Sequence, residues 1–183
     1  DALPILFYDR VFSVPWGRHA VERNRSLAAQ ALGYTVASPA DYGISAMRGA
    51  PPWLPAGPYV VLLHATSAER KLWPDARWTD LGGRLQDRGL RSVLPWGSAM
   101  ERARSERMAA QISGAIVPPA LDLKDVASLL AGAGAAVGVD TGLAHLAAAL
   151  NTPTVGVYCA TDPAATGLYG SARAVNLGGI GAP

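Results

Sequence analysis

Cysteine is nearly absent: Cys159 is the only one in 183 residues. That excludes an internal disulfide framework and a cysteine-based zinc site, and it fits a reducing compartment. Long apolar runs are missing too. No stretch approaches the roughly 18 residues that span a bilayer, and the longest candidate, Leu3 to Phe12, carries Asp9 and Arg10. Residues 1–20 lack the ordered basic start, apolar stretch and small-residue cleavage site of a secretory signal. The first residue is Asp1 and not Met. The expectation is therefore a soluble, cytoplasmic chain that is a piece of a longer protein. An excess of one charge is also lacking, since sixteen Lys plus Arg against fourteen Asp plus Glu leave a net +2. This is too little to argue for a nucleic-acid partner, although an anionic small molecule stays open. The three histidines, His19, His64 and His145, are spaced too widely to suggest a metal site. Neither a Gly-x-x-x-x-Gly-Lys loop, a Gly-x-Gly-x-x-Gly turn nor a Gly-x-Ser-x-Gly elbow occurs, which counts against NTPases, dehydrogenases and serine hydrolases.

What is present is a large apolar fraction, 50%, enough for a sizeable core. Residues 17–33 read as a helix, with Val21, Ala28 and Leu32 at helical spacing and Gly33 as its stop. From Ala37 to Pro58 the chain is rich in Pro and Gly, the composition of a connector. The domain boundary is placed there, with residues 1–52 on one side and 53–183 on the other. After Pro58, short β-branched runs alternate with helical stretches, as in parallel strands buried by crossover helices. The expected strands are 59–64, 91–95, 115–117, 135–139 and 154–158. The helix after Pro74 carries Trp78, Leu81 and Leu85 on one face, and the next opens with Ser98 and Glu101 at capping-box spacing. A third helix has Asp122 as candidate cap and is expected to bury Leu123, Val126, Leu129 and Leu130. A fourth follows Asp140. The fold class is thus α/β, a Rossmann-like, doubly wound parallel sheet. In its usual order, 3-2-1-4-5, strands 1 and 4 lie side by side, and ligands bind at the carboxyl ends of strands at that switch point.

Two loops meet there. Asp140-Thr141-Gly142 with His145 supplies backbone amides, a hydroxyl and an imidazole at a helix start, where phosphate binds readily. The plainer reading makes Asp140 an N-cap and His145 a filler. Across the crevice, Thr66, Ser67 and Lys71 offer hydroxyls and a cation suited to a diphosphate, with Lys71 able to neutralise charge on a departing phosphate. A solvated surface lysine is the competing reading. Glu101 could accept the hydroxyls of a ribose or close a capping box with Ser98. Asp162-Pro163 reads as a turn, in a small-residue loop able to close over the crevice.

Taken together, His19-Ala20-Val21-Glu22-Arg23, Leu63-His64-Ala65-Thr66, Lys71-Leu72-Trp73-Pro74, Leu94-Pro95-Trp96-Gly97, Val139-Asp140-Thr141-Gly142-Leu143-Ala144-His145-Leu146 and Thr161-Asp162-Pro163 resemble the bacterial lipopolysaccharide heptosyltransferases. The likeness is nearest to the heptosyltransferase I group. It implies a GT-B glycosyltransferase with two Rossmann-like domains across a cleft. Residues 53–183 would be most of the C-terminal, donor-binding domain, and residues 1–52 a remnant of the N-terminal acceptor domain with its linker. The implied reaction transfers L-glycero-D-manno-heptose from ADP-heptose to a Kdo residue of the lipopolysaccharide inner core, with inversion and no essential metal or other cofactor. By motif position, Thr66, Ser67 and Lys71 would hold the diphosphate together with Thr141, Gly142 and His145. Glu101 would hold the ribose, Leu121 would border the adenine, and Asp140 would contact the heptose. Lys71 and Asp140 carry the catalytic assignments. Arg10, His19 and Arg23 would be remnants of the acceptor side. The general base that an inverting transferase needs is an Asp of the first domain, and neither Asp1 nor Asp9 stands in its motif. The resemblance thus implies donor binding with little or no turnover by this chain. The acceptor would be Kdo-lipid A at a membrane surface, which places the protein at the inner face of the inner membrane. The competing function is a non-catalytic nucleotide-binding α/β module.

Overall fold

A computed structural model describes residues 9–47, 51–54 and 56–181. Asp1 and most of the apolar stretch from Leu3 lie outside the described residues. In chain order the elements are α1 (Ala20–Leu32), β1 (Tyr59–Leu63), a 3-10 turn (Glu69–Lys71), α2 (Asp75–Gln86), β2 (Arg91–Val93), α3 (Ala99–Ala109), α4 (Leu123–Gly132), β3 (Ala135–Val139), α5 (Gly142–Ala149), β4 (Thr154–Tyr158), α6 (Pro163–Thr166) and β5 (Ala174–Gly178). The strands form one parallel sheet in the order β2-β1-β3-β4-β5.

This is the expected winding with one strand reduced and one added. The run 115–117 survives only as a parallel bridge between Ile116 and Val93, held by Ile116 N–H to Ser92 O (2.8 Å) and Leu94 N–H to Ile116 O (2.9 Å). Pro118 and Pro119 follow at once. They have no N–H to donate, so the ladder cannot lengthen. The added strand, β5, lies at the opposite edge, where its Val175 and Leu177 remain exposed. The half-exposed pattern of Ala-Val-Asn-Leu-Gly concealed it. Nor is Asp162-Pro163 only a turn. Asp162 caps α6 by accepting from Ala164 N–H (2.9 Å), with Pro163 at the first helical position.

Each face of the sheet buries a helical layer. On one side α4 and α5 pack on Val61, Leu63, Val93 and Ala136. On the other, Trp78 of α2 and Met108 of α3 are fully buried with Val60, Leu62, Leu94 and Val139. Two helix assignments from periodicity are corrected. Leu123 is the first residue of α4 and 67% exposed, because its side chain lies beside the crevice and not over the sheet. In α1, Leu32 is 76% exposed and Ala29 is the residue that is buried. This helix is anchored chiefly by its N-terminus, where His19 Nδ1 accepts from Val21 N–H and His19 Nε2 lies 3.0 Å from Gly167 O.

One close approach positions the site. A Cβ on Gly138 in β3 would lie 2.9 Å from the Cβ of Ala144 in α5 and 3.2 Å from that of Leu63. The missing side chain lets α5 settle on the strand that leads into it.

Candidate functional site at the carboxyl edge of the sheet

β1 and β3 pair side by side, Leu63 opposite Gly138, so the segments leaving them share one crevice. Thr66 bridges the two by donating from Oγ1 to Asp140 O (2.8 Å). The Asp140 carboxylate is not a helix cap. Thr141 occupies the N-cap position of α5, and its side chain makes no capping bond, which leaves the helix-start amides available to a ligand. Asp140 Oδ2 is instead 2.8 Å from Lys71 Nζ and accepts from Thr161 Oγ1 at 2.8 Å, while Oδ1 lies 4.0 Å from His145 Nε2. The surface reading of Lys71 falls with this pair, since both partners are mostly buried, 22% and 11% exposed at their side chains.

The electrostatics of this cluster oppose each other in a definite order. Burial pushes the Asp140 carboxyl up, but hydrogen bonds from Lys71 and Thr161 and the charges of Lys71 and His145 together bring it below the ordinary aspartate range. For His145, burial lowers the pKa most, Asp140 raises it, and His19 and Lys71 lower it, with a net fall. Near neutral pH the site thus presents a carboxylate, an ammonium and a neutral imidazole.

Beside the cluster lies a cavity of about 400 Å³ bordered by Thr66, Ser67, Glu101, Leu121 and Thr141. Five residues singled out from sequence thus meet at one opening. The capping reading of Glu101 holds in altered form. Ser98 Oγ accepts from Glu101 N–H (3.2 Å), and Glu101 Oε2 accepts in return from Gly97 N–H (2.7 Å), one residue earlier than a capping box requires. Gly142 sits exposed at the start of α5. Of Arg10, His19 and Arg23 only His19 comes near the cluster, through its electrostatic influence on His145; its ring also stacks on Tyr169 at 4.5 Å. The Arg23 guanidinium lies 4.7 Å over the Trp16 ring, and Arg10 is exposed near the start of the described residues. Among the described residues no group of three or more His, Cys, Asp or Glu could hold a metal ion.

Sequence reasoning passed over Thr161 as a ligand to Asp140. The signal was available, since Thr161 leaves the strand next to β3. It also gave no role to His64, which is fully buried with Nε2 2.7 Å from Ser105 Oγ. Burial first, then the Arg104 charge, push its pKa down to about 4 against the upward pull of Asp75. A histidine that is harder to protonate folded than unfolded stabilises the fold fully above pH 6.5, its unperturbed value, and loses that contribution as the pH falls towards 4. Acid titration across that window should cost roughly 3 kcal/mol. In thermal melts His64→Asn should flatten the fall between pH 6.5 and 4. An unchanged profile would show that other groups carry it. The Asp140 contribution is retained in this window and is lost only as the pH falls below the ordinary aspartate range.

A doubly wound sheet whose switch point sets a cavity of about 400 Å³ beside a lysine, a carboxylate and an open helix start places the chain in the class of doubly wound α/β proteins with a candidate site at the carboxyl edge. Comparison narrows this. Residues 2–182 match the family described as glycosyltransferase family 9 (heptosyltransferase), and the chain belongs to that family. The lipopolysaccharide heptosyltransferase 1 of Pseudomonas aeruginosa is 49% identical over 179 residues, which cover 97% of this chain and 50% of that protein. Escherichia coli heptosyltransferase WaaC with ADP superposes with a TM-score of 0.82 at 42% identity, covering 93% of this chain and 53% of the other. The same enzyme with ADP-2-deoxy-2-fluoro heptose gives 0.79 at 41% identity, over 94% and 53%. The chain spans about half the length of the relatives it matches.

Proposed function

We propose that residues 53–183 are the donor-binding domain of an inverting GT-B heptosyltransferase, and residues 1–52 a portion of its acceptor domain with the linker. The donor is ADP-heptose and the acceptor a Kdo residue of the lipopolysaccharide inner core. The observation that carries this reading is the Lys71–Asp140–Thr161–His145 cluster, tied through the Thr66 hydrogen bond to Asp140 O to the wall of the cavity bordered by Thr66, Ser67 and Thr141. The relatives with ADP and with the fluorinated ADP-heptose support it by similarity.

The roles follow from position. Leu121 and the apolar wall of the cavity take the adenine, and Glu101 the ribose. Thr66, Ser67, Thr141, Gly142, His145 and Lys71 surround the diphosphate, where the ammonium offsets charge that grows as the C1–O bond of the sugar breaks. Asp140, tied to Lys71 and Thr161, faces the heptose. Neither carboxylate is placed to act as general base. Asp140 is paired with a cation that lowers its proton affinity, and Glu101 accepts from Gly97 N–H. The part assigned to both is donor binding. No helix among the described residues is long and apolar enough to cross a membrane, and the acceptor is reached at the inner face of the inner membrane, with His19, Arg10 and Arg23 on its side.

Calorimetry tests this directly. ADP and ADP-heptose should both bind the chain with one-to-one stoichiometry. If neither binds, the donor assignment fails.

A further inference from the structure

One guanidinium outside the crevice is fully engaged in holding its wall. Arg104, in α3, is 13% exposed at its side chain. Its Nε donates to Asp75 Oδ1 at 2.7 Å, its Nη1 to His64 O at 2.7 Å and its Nη2 to Trp73 O at 2.8 Å. His64 lies where β1 ends, and Trp73 and Asp75 flank the start of α2. The three acceptors thus stand at the two ends of the segment 65–72, and that segment carries Thr66, Ser67 and Lys71. Next to Arg104 on the same helix, buried Ser105 meets His64 at 2.7 Å, so α3 grips the strand exit by two successive residues.

A loop pinned at both ends has fewer conformations available when it wraps a ligand, and the ordering is completed before binding. We propose that Arg104 is a positioning residue of the donor site, closing loop 65–72 at its base and so setting Thr66, Ser67 and Lys71 against a diphosphate. The assignment rests on the donor reading above. It also explains the choice of side chain. The planar fork of arginine reaches three acceptors in fixed directions, whereas a lysine ammonium in the same place is a single point that cannot span them.

The test uses the 183-residue chain with Arg104→Lys, Lys71→Ala and the double variant. Arg104→Lys should weaken ADP binding by about tenfold, the loss of one or two charge-assisted hydrogen bonds. In the Lys71→Ala background the same substitution should cost measurably less than in the unchanged chain, because one of the three contacts it positions, the charged one, is gone. Amide exchange should quicken in 66–72 while β1 and α5 stay protected, a pattern that a general loss of stability would not produce. ADP affinity unchanged in folded Arg104→Lys overturns the assignment, as does an equal loss in both backgrounds. Should Arg104→Lys fail to fold, Asp75→Asn at a position 41% exposed loosens the same guanidinium. Unaltered exchange in 66–72 and unaltered ADP binding there would overturn the proposal equally. Failure of the unchanged chain to bind ADP removes the donor reading and this assignment together. Binding that persists in the variants removes only the assignment.

Discussion

Lys71→Ala should lower ADP affinity about a hundredfold, while Asp140→Asn should raise it several-fold. The first effect is the loss of a charge-assisted contact to phosphate in a partly buried site, about 2–3 kcal/mol. The second has the opposite sign because Asp140 holds the Lys71 ammonium at 2.8 Å and places a negative charge where a second anion must enter. An amide in its place keeps the shape, can still accept from Thr161, and releases the lysine. The gain should be confined to ADP. For ADP-heptose, Asp140→Asn should lose the sugar contact and bind no better than ADP. At the corresponding positions of a full-length heptosyltransferase of this family both substitutions should cripple transfer. Titration of the four protein–ligand pairs settles the matter: a fall in ADP affinity for Asp140→Asn would mean that the carboxylate supports the diphosphate and does not compete with it.

Gly138→Val should unfold or severely destabilise the chain, by about 3 kcal/mol, the upper part of the range for overpacking a core. A β-carbon at 138 already meets Ala144 Cβ at 2.9 Å and Leu63 Cβ at 3.2 Å. Neither contact is to the movable end of a long side chain. Relief requires α5 to lift from β3, which displaces Thr141, Gly142 and His145 as a body. Gly138→Ala should show the same direction with a smaller loss and a clear drop in ADP affinity. Pairing Gly138→Ala with Ala144→Gly should recover part of both, since the second change removes the opposing carbon. Denaturant melts and ADP titrations on the three variants provide the check. Additive losses in the pair would show that the close approach is not the cause.

How much of this was legible beforehand differs by element. The central strands are legible as uninterrupted apolar runs such as Tyr59–Leu63, all five residues of which are buried, because a strand covered on both faces needs no polar alternation. The caps at Ser98 and Asp122 were visible because their hydroxyl and carboxylate serve N–H groups only three residues ahead. β5 was not legible, since an edge strand with one solvated face has too few apolar residues to stand out. The span of α4 was legible but its first side chain was not, because Leu123 answers to the crevice and not to the helix face.

The same division runs through the site. Sequence by itself determined which residue types arrive at the strand exits: Thr66, Ser67 and Lys71 after one strand, Asp140 to His145 after another, and Glu101 within a capped helix start. Those are local properties, set by periodicity, capping and the order of elements along the chain. Only the tertiary structure decided their partners. That Asp140 pairs with Lys71 and Thr161 and not with its own helix, and that Arg104 fastens both ends of a loop from another element, depends on parallel crossovers. These bring side chains far apart in sequence to within 3 Å. Such contacts fall off within a few ångströms and depend on orientation, so no spacing along the chain encodes them until the sheet has set its order and register.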